Sequence, residues 1–181
     1  MKNDLSIVMY HYVRDIEKSN FSKLKALDIK NFCNQIDFLC KNYNVISGNE
    51  LISYILGEEK NLPSKACLLT FDDGYKDHID YVLPELTKRK LKGCFFPVTN
   101  TIEKFNLLDV NAIQLILARV HDINKLLLDL KKEFLSNNLS IDLFNKLWKE
   151  NAKNGRYDNK KVIFIKKTLQ YSLPLKIRKK I

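Results

Sequence analysis

Lys65-Ala66-Cys67-Leu68-Leu69-Thr70-Phe71-Asp72-Asp73-Gly74 is a near-continuous apolar run that stops at two acids and a glycine. Runs of this kind suit strands buried on both faces, as in parallel sheets flanked by helices. Two carboxylates then stand at the carboxyl end of the strand, followed by the residue that best tolerates a sharp turn. In α/β folds, active sites assemble at the carboxyl ends of parallel strands. Adjacent acids there repel, and a divalent cation relieves the cost of ionising both while leaving one carboxylate as a base. The same three residues also make an ordinary solvated turn, so the pair alone leaves both readings open.

Outward from this run the pattern alternates. Upstream, Leu5 to Tyr10 reads as a short buried strand, and a polar loop runs from Arg14 to about Ala26. Asp28 suits a helix N-cap, since Ile29, Phe32, Cys33, Ile36, Leu39, Cys40 and Tyr43 recur at helical spacing. Val45-Ile46 is a brief strand. Ser47 with Glu50 forms a capping box for a helix through Leu56, and Gly57 to Pro63 connects it to the central run. Downstream, Tyr75 to Lys90 is helical in pattern, with Pro84 forcing a break or a new first turn, and Gly93 to Val98 is the next strand. The order predicts an α/β fold with a parallel sheet or barrel. Beyond Asn100 no strand is expected. The periodic stretch within Leu107 to Leu135, then Ile141 to Trp148 and Val162 to Leu169, predict a helical block, and Pro174 opens a further helix carrying Leu175, Ile177 and Ile181.

Bulk properties narrow the classes. The 181 residues suffice for a substantial core, and 45% hydrophobic with 10% aromatic content argues against disorder. The net charge of +10 comes from 31 basic and 21 acidic residues. The lysines are dispersed apart from Lys176, Arg178, Lys179 and Lys180, and no arginine-aromatic interleaving appears, so a nucleic-acid partner is not expected. No signal-like segment and no membrane-spanning run are seen, which makes a cytoplasmic location the expectation. The four cysteines form no C-x-x-C pair and are expected to be reduced core thiols. His78, in Lys76-Asp77-His78-Ile79-Asp80, reads as a helix-surface residue; His121 reads as solvated, and Trp148 as core.

Thr70-Phe71-Asp72-Asp73-Gly74-Tyr75 after an apolar strand resembles the first motif of the NodB-homology polysaccharide deacetylases, carbohydrate esterase family 4. Met9-Tyr10-His11-Tyr12-Val13 resembles the family's first-strand signature. Phe32, Gln35 and Leu39 resemble its following helix, and Gly93-Cys94-Phe95-Phe96-Pro97 its next strand. Leu107-Leu108-Asp109-Val110-Asn111 and Gln170-Tyr171-Ser172-Leu173-Pro174 look like the helical insertion of a subgroup associated with surface polysaccharides. The resemblance implies a partial, deformed (β/α) barrel in residues 1–100, followed by a helical insertion in residues 101–181. It implies removal of acetyl groups from N-acetylated, less often O-acetylated, sugars with a divalent metal, typically zinc. Asp73 is then the metal ligand and Asp72 the general base. His11, Thr70 and Tyr75 are then substrate contacts or supports of that site; for His11, a hydrogen-bonded core histidine is the alternative.

The sequence departs from the family in its later motifs, since neither an Arg-Pro-Tyr-like segment nor a terminal Leu-x-His is found. The family completes its metal site with His-x-x-x-His, and four residues after His11, His78 and His121 stand Asp15, Val82 and Lys125. One carboxylate holds zinc poorly where three protein ligands are usual. The expectation is therefore an N-terminal segment whose reading frame continues to the missing histidines, inactive by itself. The alternative is a degenerate homologue that at most binds carbohydrate.

Overall fold

The computed structural model describes residues 4–104 and 106–178. They fall into two compact units, Met1–Asn106 and Leu107–Ile181. In chain order the first unit contains β1 (Leu5–Tyr10), β2 (Val13–Arg14), β3 (Leu27–Asp28), α1 (Ile29–Asn42), β4 (Asn44–Ile46) and α2 (Gly48–Ile55). There follow β5 (Ala66–Asp73), a π-helical turn (His78–Val82), α3 (Leu83–Lys88), β6 (Cys94–Pro97) and α4 (Thr99–Lys104).

β5 is the central strand, as its apolar run predicts: Ala66 through Phe71 are all buried. β1 pairs with it in parallel from Leu5↔Ala66 to Tyr10↔Phe71, filling one edge. The other edge takes two strands in succession, β4 along Ala66–Leu68 and β6 along Thr70–Asp73, both parallel. Alternation divides β5 between two faces. Cys67, Leu69 and Phe71 pack with Phe32, Ile36 and Leu39 of α1 and with Val82 and Leu86. On the opposite face Ala66 and Leu68 pack with Ile46 and Leu62, against Leu51 and Tyr54 of α2. The α/β class with a parallel sheet is borne out.

Local signals place the helices. The Asp28 carboxylate caps α1 by accepting from Lys30 N–H. Ser47 and Glu50 form the reciprocal capping box of α2, with Ser47 N–H donating to Glu50 Oε2 at 2.8 Å. The helical stretch after Gly74 is borne out as a π-helical turn followed by α3, with Pro84 in a new first turn. Three expectations need correction. The strand carrying the acids runs on through Asp73 instead of ending before them. The loop from Arg14 to Ala26 is bounded by β2 and β3, two-residue strands paired in parallel. The four thiols are free, yet only Cys67 is fully buried and Cys40 is exposed. Cys40 follows Leu39 on α1, and the roughly 100° step per residue carries it off the stripe formed by Phe32, Ile36 and Leu39.

The second unit is helical throughout its described residues: α5 (Asp109–Arg119), α6 (Ile123–Ser136), α7 (Ile141–Asn151), α8 (Lys160–Lys167), a π-helical turn (Thr168–Ser172) and α9 (Leu175–Arg178). Its core joins Leu130, Phe134, Phe144, Leu147, Phe164, Ile165 and Leu173, with Trp148 packed on Phe164 at a ring separation of 4.9 Å. Lys179, Lys180 and Ile181 lie outside the described residues. No helix among the described residues is long and apolar enough to cross a membrane.

Candidate active site

At the carboxyl end of β5 the two acids take different conformations. Asp72 continues the face of Leu68 and Thr70, level with Phe96 of β6. Met9 and Phe96, on the neighbouring strands of that face, are 60% and 56% exposed, so Asp72 stands on an open, largely apolar surface. Thr70 is buried one step below it on the same face. No hydrogen bond to the Asp72 carboxylate is found among the described residues.

Asp73 leaves the strand conformation with φ 71°, and Gly74 follows at φ 68°. Aspartate visits this left-handed region more readily than most residues, at a cost. Gly74 is required for a second reason, because a Cβ there would lie 2.7 Å from Pro97 Cβ and 2.9 Å from Pro97 Cα. The reversal brings Tyr75 back over the strand end, where its hydroxyl donates to Asp73 Oδ2 at 2.5 Å. Burial first, and then the hydrogen bonds to Asp73 and Tyr12, push the Tyr75 phenol well above its ordinary range.

The exit of β1 faces this corner. The Tyr12 ring stacks on Tyr75 at 4.0 Å with 22° between planes. The Arg14 guanidinium lies 4.9 Å above the Tyr12 ring, and Arg14 Nε donates to Asp77 Oδ2 at 2.7 Å. His11 follows the last residue of β1 and is exposed, so it is not the core histidine that one reading allowed.

His78 is the opposite case. The sequence reads it as a surface residue, and the structure buries it at 3% exposure, in contact with the rings of Phe71, Tyr75 and Phe95. Its Nε2–H donates to the His11 carbonyl at 2.7 Å, which assigns the tautomer and leaves the buried Nδ1 without a partner among the described residues. His78 thereby fastens the backbone on which His11 rides. Tyr12, Arg14, Asp77 and His78 are site residues that sequence reasoning missed. The tyrosine of Met9-Tyr10-His11-Tyr12-Val13 was the available signal.

These residues do not fit a complete metal site. Among the described residues no group of three or more His, Cys, Asp or Glu side chains is placed to hold a metal ion. Asp73 has one oxygen engaged by Tyr75, His78 spends Nε2 on His11, and His121 belongs to the other unit. What the corner offers is an unengaged carboxylate, a second carboxylate held by a phenol, and an exposed imidazole at the neighbouring strand end.

Three solved structures resemble part of the chain. A de-N-acetylase from Aggregatibacter actinomycetemcomitans is 27% identical over 55% of this chain and 39% of its own, with a TM-score of 0.47. IcaB from Ammonifex degensii is 29% identical over 54% of this chain and 41% of its own, with a TM-score of 0.43. The Streptococcus pyogenes deacetylase PplD, in complex with acetate, is 21% identical over 63% and 52%, with a TM-score of 0.45. The chain thus spans between about two-fifths and half of these proteins. A search of curated proteins finds no match. The polysaccharide deacetylase family model matches residues 59–132, a stretch that contains β5, both acids and Tyr75 and ends within α6. Over that stretch, less than half of the chain, the sequence is similar to the polysaccharide deacetylase family, and there the resemblance read from the sequence is borne out.

Proposed function

We propose that this chain supplies the general-base half of a hydrolase site that removes acetyl groups from N-acetylated, or O-acetylated, sugars of a surface polysaccharide or its precursor. The observation that carries the reading is the unequal pair at the end of β5. Asp73 is held by Tyr75, while Asp72 stands unengaged on an open face between Met9 and Phe96. An unengaged carboxylate beside an apolar surface suits the proton transfer: Asp72 takes a proton from the water that attacks the acetyl carbonyl. The bond from the carbonyl carbon to the sugar nitrogen or oxygen then breaks as that atom takes up the proton held by Asp72, and acetate leaves. In this reading His11, which follows the last residue of the neighbouring β1, contacts the sugar or the water. A divalent cation, zinc by the resemblance, needs donors beyond those described here, so no step is routed through one. A cytoplasmic site of action belongs to the same proposal.

The test is acetate release from acetylated oligosaccharides, with and without added zinc. In a protein that joins this segment to the missing metal donors, Asp72→Asn is expected to lower the rate by about 10²- to 10⁴-fold, the usual contribution of a general base. A rate unchanged in Asp72→Asn refutes the assignment. A second reading, a non-catalytic homologue that binds acetylated glycan, is favoured by the lack of a third metal donor among the described residues. Glycan binding by calorimetry without acetate release, indifferent to Asp72→Asn, selects that reading.

A further inference from the structure

Asp73 presents a problem that Tyr75 solves only in part. A carboxylate on a left-handed residue at a strand end turns freely unless something fixes it, and a single phenol on a short loop is itself mobile. The structure surrounds that phenol with an anchored stack. Tyr12 is 8% exposed, and its carbonyl accepts from Leu27 N–H at 3.0 Å, beside the β2–β3 ladder. Its ring stacks on Tyr75, and the two hydroxyls also interact. Arg14 lies over Tyr12 and is itself pinned by Asp77, with both side chains of that ion pair largely shielded at 17% and 13% exposure. Asp77 stands two residues beyond Tyr75, so the brace closes on the same loop that carries the phenol.

We propose that Tyr12 and Arg14 are positioning residues for the Asp73 carboxylate, acting through the Tyr75 hydroxyl. The inference rests on the reading that the two acids are the working carboxylates. Fixing a functional group through packed, hydrogen-bonded supports is what keeps a site within productive geometry. Here the brace holds one Asp73 oxygen through the Tyr75 hydroxyl. It also separates the roles of two otherwise similar neighbours, because Asp72 has no such brace.

The test is proton NMR of the 181-residue chain, with the Tyr75 hydroxyl assigned by its loss in Tyr75→Phe. The expected signature is a slowly exchanging hydroxyl proton with a nuclear Overhauser contact to the Asp73 β-protons. Tyr12→Phe keeps the stacked ring and is expected to retain that signal. Tyr12→Leu and Arg14→Gln are expected to shorten its lifetime about tenfold, within the range set by losing a cation–π contact. A melt on each variant separates loosening of the brace from unfolding, and if Tyr12→Leu does not fold, Arg14→Gln decides. The inference is overturned if the hydroxyl exchanges rapidly in the unsubstituted chain, or if folded Arg14→Gln leaves its lifetime unchanged. Neither readout needs acetate release, so failure of the hydrolase reading and failure of the brace are told apart.

Discussion

Gly74→Ala tests the corner on which the site is built, and Gly57→Ala supplies its control. Both glycines have positive φ, 68° and 77°, but a Cβ on Gly57 meets nothing within 4 Å. Gly57→Ala therefore carries only the conformational term, about 1–2 kcal/mol, offset by about 0.4–1 kcal/mol because alanine narrows the unfolded ensemble. Its net cost is about 1 kcal/mol. Gly74→Ala adds contacts of 2.7 and 2.9 Å to Pro97 Cβ and Cα. Pro97 cannot swing aside as a flexible side chain would, since it is paired with Asp73 in the β5–β6 ladder. Overpacking of that kind costs about 1–3 kcal/mol, bringing the total to about 2–4 kcal/mol. In a unit of this size that corresponds to a fall in Tm on the order of 10–25 °C. Amide exchange of the β5 and β6 ladder reports the loss directly, and fluorescence of Trp148 follows the second unit separately. Equal costs for the two substitutions would refute the close approach of Gly74 to Pro97, and with it the geometry that brings Tyr75 to Asp73.

Two further substitution sets probe supports of the first unit. Ser47→Ala removes the cap of α2 and is expected to cost about 1 kcal/mol in a urea melt. The Ser47 hydroxyl, then its backbone N–H, hold the Glu50 carboxyl below the usual glutamate range. The stability this gives is present above the ordinary glutamate value and is lost as pH falls through the lowered one, so Ser47→Ala should flatten stability over that acidic interval. The two histidines at the β1 exit should separate cleanly. His78→Phe keeps the ring volume but leaves the His11 carbonyl without its donor, at about 1–3 kcal/mol, whereas exposed His11→Ala should stay within about 0.5 kcal/mol. A thermal melt in which His11→Ala is the more destabilised would reverse this account of them.

The parts legible in the sequence are those that depend on local pattern. Ala66–Phe71 reads as a buried strand because six apolar or small residues in succession have no polar face to show, and it is buried throughout. Ser47 with Glu50 reads as a capping box because the motif is a fixed spacing, and both bonds form. His78 was not legible, because the chain there does not follow the 3.6-residue period. Across a π-helical turn each residue advances by a smaller angle, so the faces shift relative to an α-helix. His78 turns inward at 3% exposure and Ile79 outward at 68%, the reverse of what their polarity suggests. The brace on Asp73 escaped for another reason. It joins residues 12, 14, 73, 75 and 77 across two strand exits, and its geometry depends on two consecutive left-handed residues, which a strand pattern running into Asp72-Asp73 does not announce.

That left-handed aspartate also weighs between the two readings of Asp72-Asp73-Gly74 that the sequence leaves open. A solvated turn places no demand on its acids, and glycine or asparagine fills a positive-φ position at lower cost. Here Asp72 belongs to the strand, half-buried and aligned with Phe96 in the ladder. Asp73 accepts the strain of φ 71° and spends one oxygen on a phenol that is itself stacked and half-buried. Strain of about 1–2 kcal/mol that the surrounding structure holds in place is the mark of a site built for its side chain. On this argument Asp73→Asn should fold at least as stably as the parent, since asparagine fits the left-handed region and still accepts from Tyr75. The substitution should cost function alone. Measured side by side, an Asp73→Asn melt more than about 1 kcal/mol below the parent would mean that the carboxylate serves the fold, and the turn reading would regain its place.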